Sequence, residues 1–358
     1  MTSARSSLAL SRPLLAWLQQ DPAWHAQPAH WRWRHRWLAT LGSLNGRLSE
    51  LQARDDAPPL DDPILVIGPW RSGTTVMHEL LTAATGLATP RTWQCMDPCA
   101  FRLTGPGGSG RPVARPMDGL PISSRSPQED EFALLALGVD SAYRAFWMPH
   151  RLHQIAHTLD ASYWLEHPQW LAPWEAFLRG VLAVPGDDAC PQPLILKSPN
   201  HSYRIRSILQ RFPKARLVWM ARDPVQVLMS NRKMWSAMFA THGLTQPVPG
   251  ALDDFLRDAL DAAAQTLAWC ADKLPPEHLV VVAHEALLAR PADVVDDIGE
   301  RLQLPRASSR NALHVALDHV RRGRVERYSQ ATPAPAEVAC SALAAVHRIA
   351  LASRHAIR

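Results

Sequence analysis

Cysteine is scarce in this chain and does not pair: Cys95, Cys99, Cys190, Cys270 and Cys340 are an odd number spread over 358 residues. Cys95 and Cys99 stand four apart, yet no His or Cys pair near them completes a zinc ligand set. Unpaired thiols in a reducing compartment are expected. Long apolar runs are missing too. After Arg5 the N-terminus offers only Leu8 to Leu10 before Ser11 and Pro13. That is too short for a signal-peptide core or a membrane span, so cytoplasm is the expected location. A strong charge of one sign is also absent: 38 Lys and Arg stand against 33 Asp and Glu, for a net charge of +5. The basic residues are mostly Arg, they are scattered, and no RNA- or DNA-binding motif accompanies them, which excludes nucleic acid as the expected partner.

What the chain does have is apolar bulk and one small-residue loop. At 47% hydrophobic and 20% charged, it can bury a full core as one large domain, or as a domain with a cap. Residues 64 to 75 read Ile-Leu-Val-Ile-Gly-Pro-Trp-Arg-Ser-Gly-Thr-Thr, an apolar run passing straight into a loop. Gly68 and Gly73 have the G-x-x-x-x-G spacing of a P-loop, followed by Thr74 and Thr75. Small residues let backbone N–H groups converge on an anion, and the start of the following helix adds partial positive charge. Arg71 supplies a fixed cation within the loop. The Lys that ATP-hydrolysing loops carry is replaced by Thr74, so a phosphorylated ligand is expected but the ATPase pattern is incomplete.

A second apolar run, Ala215 to Ala221, leads into Arg222, Asp223 and Pro224, with Ser230 eight residues after the Arg. Asp223 before Pro224 reads as a helix cap rather than a metal ligand, and no metal is expected. The two segments together resemble the sulfotransferase family, and in particular a bacterial branch with large acceptor-side insertions. Leu196 to His201 (Leu-Lys-Ser-Pro-Asn-His), Ser126 to Phe132 and Arg327 to Ser329 extend the likeness from about residue 64 to about 330. The resemblance implies an α/β, P-loop-like three-layer fold with a central, mostly parallel sheet flanked by helices. It implies 3′-phosphoadenosine 5′-phosphosulfate as donor, with Pro69, Trp70, Arg71, Ser72, Gly73, Thr74 and Thr75 gripping the 5′-phosphosulfate. Arg222 and Ser230 would grip the 3′-phosphate, and Arg324, in the cluster Arg321, Arg322 and Arg324, could close over it. Net positive charge would favour capture of so anionic a donor.

Residues 1–58 read as a helical region rich in Trp17, Trp24, Trp31, Trp33 and Trp37, with Arg32, Arg34 and Arg36 interleaved. Two readings stand: a layer packed on the core, or peripheral contact with a membrane or a lipid-like acceptor. The Pro-rich stretch Asp55 to Pro63 separates this region from a catalytic domain over 59–335. Within that domain 104–127 lacks periodicity and about 127–183 reads as a helical acceptor-side insertion. Strands are expected at 193–196, 216–221 and 279–283, and 336–358 is expected to be a C-terminal helix. Alternating strands and helices imply a parallel sheet with ligands at the strands' carboxyl ends.

Sulfonate transfer needs a cradle, cations for the leaving phosphate, and a base for the acceptor's proton. Arg71 and Lys197 are the expected cations. For the base, His201 and Glu129 are both candidates. Against them stand two bland readings: His201 as a solvent-facing helix start, and Glu129 as part of a capping box with Ser126, which leaves Asp130 and Glu131 exposed. Many relatives carry Trp-Glu where this chain has Trp93-Gln94, and an amide cannot act as a base. The reading is therefore a sulfotransferase acting on a hydroxyl or amine of a small-molecule or lipid acceptor. An ATP- and Mg-dependent P-loop kinase or hydrolase, and a non-catalytic nucleotide-binding member, are the alternatives.

Overall fold

Four of the apolar runs form neighbouring strands of one sheet. In the computed structural model, which describes residues 12–52, 59–106, 112–114, 121–184, 193–307, 311–318 and 355–357, the strands are β1 (Ile64–Ile67), β2 (Val113–Ala114), β3 (Pro121–Ile122), β4 (Ile195–Lys197), β5 (Arg216–Ala221), β6 (Leu279–Ala283) and β7 (Ala356–Ile357). Five of them join in the order β4-β1-β5-β6-β7, and every pairing is parallel. β1, β4 and β6 are buried along their whole length. Burial on both faces explains why they read as continuous Val, Ile and Leu rather than as alternation.

Successive residues point to opposite faces and feed two cores. Leu65, Ile67, Leu217 and Trp219 join the larger core with the helices His201–Arg211, Pro224–His242 and Ala251–Lys273. Ile64, Val66, Val218 and Met220 join a smaller one with Thr74–Thr85, His284–Ala289 and Pro291–Arg301. The result is the expected three-layer arrangement. Because β1 has β4 on one side and β5 on the other, the chain reverses direction across the sheet at β1. Such a switch point opens a crevice at the carboxyl ends of β1 and β5.

Several elements depart from the reading of the sequence. Asn200 to His201 begins the fourth-strand helix, four residues before the periodic run at Ile205 suggests, because Ser198 and Pro199 already turn the chain. Within 104–127, β2 and β3 pair as a short antiparallel ribbon. The span 127–183 is helical as expected, but in short pieces, several of them 3₁₀ turns. Its Trp147, Trp164, Trp170 and Trp174 are buried in the larger core, so its aromatic richness is packing. At the far end, 356–357 form an edge strand beside β6 rather than the end of a helix. The rest of the expected 336–358 helix lies outside the described residues, as do Arg321, Arg322, Arg324 and Arg327 to Ser329. Cys95 and Cys270 are buried free thiols, and burial pushes both up. No helix among the described residues is long and apolar enough to cross a membrane.

Candidate active site

β1 ends at Ile67, and the chain must then turn hard to start the next helix. Gly68 adopts φ 132, where a Cβ would come within 2.5 Å of the Met220 carbonyl oxygen on β5. Gly73 adopts φ 104, and a Cβ there would meet His284 Nδ1 at 2.6 Å. Both positions therefore require glycine. Between them Arg71 takes a left-handed φ of 69, an unusual conformation for a side chain of that size. Gly73 caps the Thr74–Thr85 helix and has no side chain of its own to bond the first N–H groups. The first turn is thus left open to an anion.

The loop is braced from behind. Ser202 Oγ accepts from Gly68 N–H at 3.0 Å, Asn231 Nδ2 donates to the Trp70 carbonyl at 2.8 Å, and Ser72 Oγ donates to the Pro69 carbonyl at 2.7 Å. These contacts redefine two of the expected donor ligands. Trp70 is buried, with Tyr143, Tyr203, Trp235 and Phe255 around its ring, so the side chain is an anchor and only its backbone borders the loop. Ser72 is wholly buried and its hydroxyl holds the loop's own turn. Thr74 is buried as well, while Thr75 is partly exposed.

The two segments expected to bind anions meet directly. Arg71 Nε donates to Ser230 Oγ at 3.0 Å, and Arg222 Nη1 donates to the Arg71 carbonyl at 2.9 Å. Arg222 Nη2 also reaches Gln226 Oε1 at 3.0 Å. Asp223 does cap the following helix, accepting from Gln226 N–H at 2.9 Å, with Pro224 at its first position. Two guanidinium groups and an open helix start thus share the crevice between β1 and β5.

Lys197, the last residue of β4, is almost fully buried beside them. Its Nζ lies 3.4 Å from Thr75 Oγ1 and donates to Glu129 Oε1 at 2.5 Å. The other oxygen of Glu129 accepts from the Tyr143 hydroxyl at 2.7 Å. Glu129 is therefore no capping residue: the helix begins at Glu131, and Ser126 Oγ is engaged by Ser123 N–H instead. Tyr143 is the site residue that sequence reasoning missed. Burial and the neighbouring carboxylate push its phenol well above the ordinary range, so it stays a donor.

His201 is not placed to take an acceptor's proton. Its side chain is wholly buried, Nε2 is paired with Asp130 Oδ2 at 2.8 Å, and its ring lies against Trp174 and Trp170. Asp130 also accepts from Trp174 Nε1 at 2.7 Å, and against the cost of burial these partners hold its carboxyl below the usual range. Glu131, expected at the surface, is equally buried and forms a bidentate pair with Arg204, whose guanidinium stacks on Trp164. Gln94 accepts from Arg91 N–H at 2.7 Å and closes its own helix start. Among the described residues no cluster of three or more His, Cys, Asp and Glu could hold a metal ion.

An anion-cradling turn at the switch point of a parallel sheet, with a buried lysine behind it, belongs to the P-loop-like α/β transferases. Within that class the chain belongs to the Sulfotransferase family, whose model matches residues 63–308. Two curated relatives, the omega-hydroxy-beta-dihydromenaquinone-9 sulfotransferases Stf3 of Mycobacterium bovis and Mycobacterium tuberculosis, are each 36% identical over 204 residues. That stretch is 54% of this chain, and the chain spans 50% of either relative. Among solved structures, sulfotransferase STF9 from Mycobacterium avium aligns with a TM-score of 0.63 at 17% identity, over 98% of this chain and 97% of that one. Sulfotransferase STF1 from Mycobacterium tuberculosis aligns with a TM-score of 0.58 at 18% identity, over 89% of this chain and 90% of that one. At such identities the two structures speak to the fold, which they share with this chain.

Proposed function

We propose that the chain, through a catalytic domain spanning about 59–335, moves a sulfonate group from 3′-phosphoadenosine 5′-phosphosulfate to a hydroxyl of an apolar, lipid-like acceptor in the cytoplasm. The observation that carries this reading is the contact of Arg71 with Ser230 and Arg222. Two segments some 150 residues apart would form one cationic pocket for two anions, as a nucleotide phosphorylated at both ends requires. The Gly68–Thr75 loop and the open helix start would hold the 5′ end, and Arg222 with Ser230 the 3′-phosphate. The donor supplies an activated sulfonate whose leaving group is a phosphate. Arg71 and Lys197 offset the charge that grows on that phosphate. Glu129 takes the acceptor's proton, and Tyr143 and Lys197 hold its carboxylate in place for this.

The acceptor class is supported by the curated relatives, which are named for an omega-hydroxy menaquinone derivative. The replacement of Glu by Gln94 does not argue for an inactive protein, since Gln94 closes a helix start and Glu129 supplies a carboxylate elsewhere. Titration with adenosine 3′,5′-bisphosphate against ATP with Mg²⁺ tests the donor; tighter binding of ATP would overturn the reading in favour of a kinase or hydrolase. Mass spectrometry of lipid extracts incubated with protein and donor, with Arg71→Ala as control, should then show a product heavier by one sulfonate.

A further inference from the structure

Three of the exposed large apolar side chains among the described residues crowd one stretch of the Ala29–Gln52 helix: Trp33 at 67% exposed, Trp37 at 51% and Leu38 at 36%. The other tryptophans of this region behave differently. Trp24 is fully buried, and Trp17 and Trp31 pack against the larger core. The packing reading thus accounts for three of the five and leaves two unexplained. Trp33 and Trp37 are one turn apart and stack on each other, with centroids 6.4 Å apart and planes 16° from parallel. His30, Trp33, Arg34 and Trp37 follow the i, i+3, i+4, i+7 spacing of one helix face, and all four are exposed. His35 and Ala39 are buried and fix the opposite face to the protein.

The charge along this stretch of helix has one sign. Arg34 and Arg36 are exposed beside the indoles, and no Asp or Glu occurs from residue 29 to 49. The Phe101–Thr104 helix, which packs against the same helix, adds exposed Arg102 and Leu103. A second copy of the chain would take the indoles but bring its own arginines against these, a like-charge contact in any two-fold pairing. An anionic bilayer accepts both features. Indoles settle at the headgroup level and guanidinium groups pair with lipid phosphates. With no helix able to cross the membrane among the described residues, contact would be at the surface. We propose that Trp33 and Trp37, with Arg34 and Arg36, form a docking surface for an anionic phospholipid bilayer. The inference goes beyond sulfonate transfer and stands without it, although a lipid acceptor would be met at that surface.

Vesicle flotation of the full chain tests it, using phosphatidylcholine alone and phosphatidylcholine mixed with phosphatidylglycerol. The protein should float with the mixed vesicles only, and less so as salt is raised. Trp33→Ser with Trp37→Ser should lower partitioning about tenfold or more. Arg34→Gln and Arg36→Gln should each lower it about fivefold. All variants should keep the wild-type melting temperature and affinity for adenosine 3′,5′-bisphosphate, because none touches the donor loop. The inference is overturned if the protein ignores phosphatidylglycerol vesicles at low salt, or if the double Trp variant floats like the wild type. It is equally overturned if the double variant turns a dimer into a monomer without any change in flotation, which would make a second copy the occupant. Flotation without any donor binding would instead sink the sulfotransfer reading and leave the docking surface intact.

Discussion

Glu129 sits between a cation and a phenol, and its chemistry depends on both. Glu129→Gln keeps the hydrogen-bonding shape but removes the proposed base, so turnover should fall by about 10²- to 10⁴-fold. Calorimetry with adenosine 3′,5′-bisphosphate should find donor affinity unchanged in that variant, whereas an unchanged turnover would move the base elsewhere. Tyr143→Phe removes a donor to the carboxylate. Without that donor the carboxylate is held less firmly, so turnover should fall about tenfold with donor affinity unchanged. An unchanged turnover would mean that Tyr143 only fills space. Much of this site was legible. That Arg71, Arg222 and Ser230 come together was readable from their types and their spacing after two strands. Tyr143 was illegible because its role arises from a contact made across the fold by an irregular turn. His201 misled for a related reason: a polar residue at a helix start looks solvated, and only Trp170 and Trp174, some thirty residues upstream, bury it.

At the level of elements, long apolar runs announced their strands, since a fully buried parallel strand leaves little choice of residue. β5 and β6 fall where the sequence placed them. The short turns of the insertion carry no such period, and the two-residue β7 is held by its neighbour rather than by its own composition. What locks the insertion to the sheet is the buried pair of Glu131, from the insertion, and Arg204, on the helix after β4. Removing one partner leaves an uncompensated buried charge, so Glu131→Leu and Arg204→Met should each cost about 3–5 kcal/mol. The double variant should recover much of that loss, because a hydrophobic replacement of the whole pair is often near neutral. Urea melts of the four proteins would measure the coupling, and additive losses would show that the pair does not act as a unit. The turn from Gly68 to Gly73, proposed to hold the donor, makes a different demand. Gly73→Ala places a methyl group against His284 and forces a positive φ on alanine. Binding of adenosine 3′,5′-bisphosphate should therefore drop sharply in a protein that still unfolds cooperatively.

For the whole molecule, buried histidines set the response to acid. His78 lies in the smaller core's helix with Nε2 2.6 Å from Thr89 Oγ1, and burial, aided by the nearby Lys197 charge, pushes its pKa down to about 3 from 6.5. His35 and His242 are lowered by burial in the same direction. The unfolded chain takes up these protons first, so as pH falls below 6.5 the unfolded state binds more of them and stability drops. Above that value the groups are neutral in both states and contribute no slope. His157 works oppositely: Asp140 raises its pKa, giving stability that is present at low pH and lost as pH rises through the raised value. Asp130 and Asp140, both lowered, lose their contribution only as pH falls below the ordinary carboxylate value of 3.8. Between pH 6.5 and about 5, His78 alone should therefore remove about 2 kcal/mol of folding stability. Urea midpoints measured across that window should fall for the wild type and fall less steeply for His78→Gln. The glutamine variant starts from a lower midpoint because its bond to Thr89 is altered, so the slope rather than the height is diagnostic. Parallel slopes would show that His78 reaches water in the folded protein and takes up its proton there.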